Sequence, residues 1–282
     1  MTFYWVYDMP TWKMVFMITA ISVGVTWFGT IFVRPFLRVF FRSQQSANDL
    51  ISYLLGSHGV YFGILLGLLA LSAYQNFTDT DKLVSQEASR LAGLYRDVSS
   101  YPEPGRTQLC SLLRKYTRYV IDDAWPLQRQ GIIPPGGVQI VSEFQDELMK
   151  FEPTTPRLEI LHAQTLSQFN AFVESRRLRL HAVNTGIPAI IWYVMLIGAA
   201  VNIVLIWLLD MKLIVHLFLG GVISFFLATL IAMTVAMDNP FRGEVSIPPA
   251  AFELLYEQYM QDKSTLPSAA EREARYPIKY NS

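Results

Sequence analysis

The chain has 282 residues, 52% hydrophobic and 16% charged, with a mean hydropathy of +0.28. Soluble domains carry about 25% charged residues, so this composition excludes a soluble enzyme and a disordered chain. Lys and Arg (23) balance Asp and Glu (23), which leaves no bulk charge for nucleic acid or an acidic substrate. The single cysteine, Cys110, excludes an intramolecular disulfide and any thiolate-built metal site.

The charge deficit is local. Residues 14–33, 60–73, 187–209 and 213–237 contain no Asp, Glu, Lys or Arg. About 20 residues at 1.5 Å rise cover a ~30 Å hydrocarbon core, so these stretches read as four transmembrane helices. The first ten residues carry Asp8 and no Lys or Arg, unlike the basic start of a signal peptide. The first span is therefore expected uncleaved, with Trp5 and Trp12 at the interface and Arg34-Pro35 closing it. Its hydroxyls, Thr19, Ser22, Thr26 and Thr30, are spaced by three, four and four and share one helical face. Such a stripe either faces a water-filled path or packs against another helix.

The second span, residues 57–75, carries Gly59, Gly63 and Gly67, a pattern that lets a partner backbone approach closely. Its opposite face, Phe62, Leu66 and Leu69, is then available to an apolar constriction of the kind that gates by dewetting. Residues 76–186 form a polar block that is helical by its 3–4 spacing: Leu83, Glu87, Leu91, Leu94 and Val98, then Leu109, Leu112, Leu113, Tyr116, Tyr119 and Val120. Tyr101-Pro102 separates these helices and Trp125-Pro126 ends the second. After the IIPPGG turn at 132–137, helices are expected over 138–151 and 156–185, the last running directly into the third span.

The third span, 187–209, holds Asn202, an amide that marks a helix contact or a pathway. Asp210-Met211-Lys212 joins it to the fourth span as an antiparallel hairpin. His58 and His216 start the second and fourth spans near Asp210, where an interface cluster is conceivable, though no metal is predicted. At the other face stand Asp79, Asp81, Asp238, Arg176, Arg177, Arg179 and Arg242, read as structural ion pairs or a charged vestibule. The tail, 239–282, has one short amphipathic helix around Phe252, Leu255, Tyr256 and Tyr259. The chain thus divides into residues 1–75, 76–186, 187–238 and 239–282. Arg34, Arg38, Arg42 and Lys212 lie in the short loops, which marks that side as cytoplasmic and puts the polar block outside; Arg176, Arg177 and Arg179 argue the other way. No hydrolase, nucleotide or metalloprotease motif is present, and Asp122-Asp123 reads as a solvated helix end.

In sequence the chain resembles the bacterial bestrophin-like family of four-span proteins. The matching stretches are GVYFGILLGLLALSAYQNFTDTDKLVSQEASRLAGLYRDV, RKYTRYVIDDAWP, RRLRLHAVNTGIPAIIWYVMLIGA and MDNPFRGEVSIPP, in order over residues 59–249. Ala124 and Tyr74 depart from the residues common in similar proteins, an acidic residue and a tryptophan. The resemblance implies an all-α integral protein of the bacterial inner membrane and a homo-oligomer surrounded by lipid. It further implies a pore for small ions, with anions expected, and a neck lined by the second span. No acidic run for a calcium clasp is present, so calcium gating is not predicted, and no cofactor is implied. The alternative is a non-conducting scaffold or sensor that binds a protein partner through its soluble helices.

Overall fold

The computed structural model describes residues 7, 9–40 and 45–261. Among these all regular structure is helical, with no strand. Trp5, Asp8 and Arg42 lie outside the described residues. Four helices are long and apolar enough to cross a membrane: Thr11–Leu37, Asn48–Val98, Ala189–Leu208 and Leu213–Asp238.

Helix α1 (Thr11–Phe28) passes through a π turn (Gly29–Val33) into α2 (Arg34–Phe40). Arg34-Pro35 therefore does not end the helix. The π turn sits just ahead of Pro35, whose missing N–H would otherwise have cost a bond in mid-helix. Helix α3 is unbroken over Gln45–Val98, 54 residues, against an expected span of 57–75. The polar run after Tyr74 changes the surroundings that suit the helix and not its backbone: Thr78 and Thr80 donate back to the carbonyls of Tyr74 and Asn76. The chain leaves the helix only at Ser99, ahead of Tyr101-Pro102.

Next come α4 (Gly105–Tyr119) with a π turn (Val120–Ala124), α5 (Trp125–Gln128), α6 (Gly136–Met149) and α7 (Pro156–Ala182). The expected continuity of this last helix into the third span is not found. The chain breaks over 183–188 and restarts at Pro188 as α8 (Ala189–Leu208). Helix α9 (Leu213–Asp238), α10 (Ala250–Leu255) and a π turn (Tyr256–Met260) complete the order.

Two compact units result: Met1–Lys82, Gln128–Ile132 and Leu180–Ile247 in one, Leu83–Leu127, Ile133–Arg179 and Pro248–Ser282 in the other. In the first, α1 lies along α9 and both meet α8. Its apolar core joins Phe62, Leu66 and Leu69 of α3 to Met195 and Ala199 of α8 and Leu227 of α9. The second is a bundle built on Leu91, Leu94 and Val98 of α3, Leu109 and Leu113 of α4, Phe144 of α6 and Phe172 of α7, all buried. Tyr116 meets Phe172 edge-on at 5.2 Å, and Phe144 meets Phe169 at 5.4 Å.

Candidate functional site

The hydroxyl stripe of α1 faces protein. Thr26 and Thr30 are 0% and 2% exposed. Thr26 Oγ1 donates to the Ser22 carbonyl (3.0 Å) and accepts from Ser224 Oγ of α9, while Ser22 Oγ reaches the Ser224 carbonyl at 3.4 Å. Thr30 Oγ1 (2.8 Å) and the Trp207 indole N–H (3.1 Å) both donate to the Thr26 carbonyl at the turn before the π segment. Thr19 Oγ1 is buried with no partner among the described residues. Water-path lining by Thr26 and Thr30 is thereby corrected: both are sealed within the seam of α1, α8 and α9.

Close approach in this unit uses glycines that the sequence pattern did not single out. A Cβ on Gly29 would stand about 2 Å from the Trp207 ring, and one on Gly198 2.3 Å from Phe62. On α9, Gly220 admits Ile206 and Thr26, and Gly221 admits Trp27. A Cβ on Gly59, Gly63 or Gly67 would meet no atom of another element within 4 Å. The expected division of α3 is therefore reversed within the chain. Phe62, Leu66 and Leu69 are 4%, 2% and 8% exposed inside the core, so they are not free to line a pore. The physical reason is volume: bulky side chains fill the space between α3, α8 and α9, and Gly198 recedes to accept the Phe62 ring. The glycine face is the open one.

Nor do the histidines share a site. His58 Nε2 lies 3.0 Å from the Gly198 carbonyl with its ring stacked on Phe62. His216 Nε2 lies 2.9 Å from the Ile206 carbonyl. A carbonyl only accepts, so both rings hold their proton on Nε2. Their anchors on α8 are eight residues apart, about 12 Å along the helix. Asp210 instead pairs with Arg34 at 3.1 Å, whose Nη2 also donates to the Met211 carbonyl at 2.6 Å. Among the described residues no group of three His, Cys, Asp or Glu is placed to hold a metal ion. Asn202 is buried on α8 in register with Met195, Ala199 and Ile206.

The charges read as structural ion pairs or a charged vestibule fall in both units. In the first unit Asp238 Oδ1 accepts the Ile187 N–H (2.6 Å), and Asn239 donates to Tyr7 Oη at 2.8 Å. Burial, and next to it the charge of Asp238, pushes the Tyr7 hydroxyl up to about 12. Arg242 donates to the Gln130 carbonyl and Arg129 to that of Gly243. Asp79 pairs with Lys82 on the surface, and Asp81 is exposed. In the second unit Arg179, 1% exposed, pairs with Glu87, 0% exposed, whose other oxygen accepts the Tyr116 hydroxyl at 2.6 Å. Burial opposes the Arg179 charge, yet Glu87 and Tyr116 outweigh it and leave its pKa raised. Trp125 and Phe252 flank the guanidinium at 5.2 and 5.6 Å. Arg177 is exposed, as are Asp122 and Asp123.

This is the architecture of a helical membrane protein, with four helices of spanning length among the described residues. The Bestrophin-like domain matches residues 17–252, and the chain belongs to the Bestrophin-like family. Crystal structures share its fold. A bacterial bestrophin homolog from Klebsiella pneumoniae, as a point mutant, superposes with a TM-score of 0.66 at 13% identity, covering 89% of this chain and 99% of that one. A membrane-protein point mutant gives 0.65 at 12% identity over 88% and 99%. The Klebsiella homolog phased on zinc gives 0.64 at 12% identity, again over 88% and 99%. Curated protein sequences return no match.

Proposed function

We propose that the protein is the subunit of a homo-oligomeric ion channel in the bacterial inner membrane, its copies meeting on the glycine face of α3. The observation that carries this is the empty space along Gly59, Gly63 and Gly67 in a Bestrophin-like chain. Lipid gives no hydrophobic drive for helices to associate, so close backbone approach along small residues is what favours a second copy there. Val60, Ile64 and Leu71, exposed at 62%, 58% and 50%, flank that face. Repeated around an axis, they would form an apolar constriction that opens by wetting. The likeness to bestrophins is the support for anions as the conducted species. The positive short loops support an external polar block.

The test is a planar-bilayer recording of the purified protein in a salt gradient. Ile64→Ser should raise conductance, and the reversal potential reads selectivity. Gly63→Leu should shrink the oligomer measured by light scattering while leaving the protomer folded. A parent that assembles yet passes no current would favour the non-conducting scaffold.

A further inference from the structure

Helix α6 begins without a cap. Its N-cap is Pro135, which offers no side-chain acceptor, and its first turn holds no acidic residue. Val138 N–H turns back to the Pro135 carbonyl at 2.9 Å. The N–H groups of Gly136 and Gly137 have no acceptor among the described residues. Both glycines are held bare by close neighbours. A Cβ on Gly136 would lie 2.9 Å from Tyr119 Oη, and one on Gly137 3.0 Å from Arg176 Nη2.

Arg176 is the second observation. It is 9% exposed, and it has no ion pair or hydrogen bond among the described residues. The buried carboxylate of this bundle, Glu87, already gives its two oxygens to Tyr116 and Arg179. A buried cation without a counter-charge is costly, and here it rests against the positive end of a helix dipole, which adds to the cost. Tyr119 Oη reaches the Pro134 carbonyl only at 3.4 Å, so its proton is loosely held.

We propose that the start of α6 binds a small tetrahedral oxyanion, held by the Gly136 and Gly137 amides, the Arg176 guanidinium and the Tyr119 hydroxyl. Every component is a donor or a positive charge. The guanidinium fork matches two oxygens of a sulfate or phosphate, and the bare amides match a third. A single anion satisfies the two orphan amides and neutralises the buried cation. The inference does not rest on the channel reading, because its readout is binding and not current.

Sodium sulfate, and separately inorganic phosphate, is titrated calorimetrically into the full-length protein in detergent, with sodium chloride holding ionic strength constant. One site per chain is expected. Arg176→Gln should weaken binding at least about tenfold, Arg176→Lys should retain part of it, and Tyr119→Phe should weaken it severalfold. In hydrogen exchange, sulfate should protect the peptide spanning residues 134–140 in the parent and not in Arg176→Gln. Should Arg176→Gln fail to fold, Tyr119→Phe and the exchange measurement on the parent carry the test. Absence of binding by the parent, or sulfate binding as tight in Arg176→Gln as in the parent, overturns the proposal.

Discussion

At the scale of single residues, the second unit depends on one ion pair closed on all sides. Glu87→Gln leaves the Arg179 charge buried and unmatched, and breaking a buried pair on one side costs about 3–5 kcal/mol. A drop of this size in denaturant or thermal unfolding of the detergent-solubilised protein is the expected result, with Tyr116→Phe losing less. His162 gives the pH signature. Its Nδ1 takes the Tyr101 hydroxyl at 2.8 Å, its ring contacts Phe151, and burial lowers its pKa below 6.5. The unfolded chain therefore binds a proton that the folded chain refuses. Stability is intact above about pH 6.5 and falls as pH drops toward the folded value. Melting curves at pH 7.5 and 5 should show the loss, and His162→Phe should flatten it.

Helix pairs decide which glycines matter. Gly198→Ala pushes a methyl group into Phe62, and overpacking of this kind costs about 1–3 kcal/mol, whereas Gly59→Ala meets open space. The melting temperature should fall for the first and recover in Gly198→Ala with Phe62→Leu, whereas the second should act on oligomer size and not on packing within the chain. Gly198 and Gly29 carry no spacing signal of their own, and what demands a glycine there is a ring from another helix. Periodicity therefore showed that Thr19, Ser22, Thr26 and Thr30 share a face but not that Ser224 and Trp207 await it. It likewise separated the two faces of α3 while assigning the packed role to the empty one, because small residues signal permission for contact and not its presence. The long apolar helices themselves were legible because uncharged runs of membrane length seldom occur in soluble domains. The unbroken α3 was not, since a change from apolar to polar looks like an end when no breaker is present.

For the molecule as a whole, orientation is open to direct measurement. A cysteine placed at Ser268 in a Cys110→Ser background should react with an impermeant thiol reagent on intact spheroplasts if both termini face outward. Labelling only after lysis would reverse the orientation. Cys110 itself is 7% exposed and serves poorly as a reporter.

The start of α1 holds a further lesson, one about time. Pro10 cannot cap it, and the Thr11 N–H is met instead by Glu244 Oε2 at 2.8 Å, from 233 residues away in the chain. Ser224, which completes the Thr26 contact, is also late. Chains are made from the N-terminus, so α1 is synthesised long before either partner has left the ribosome. Helix α1 is thus completed by residues made after it by some two hundred positions. A nascent chain halted ahead of α9 holds an α1 whose seam lacks its partner helix, so the polar groups of Ser22 and Thr26 wait on the last spanning helix to be made.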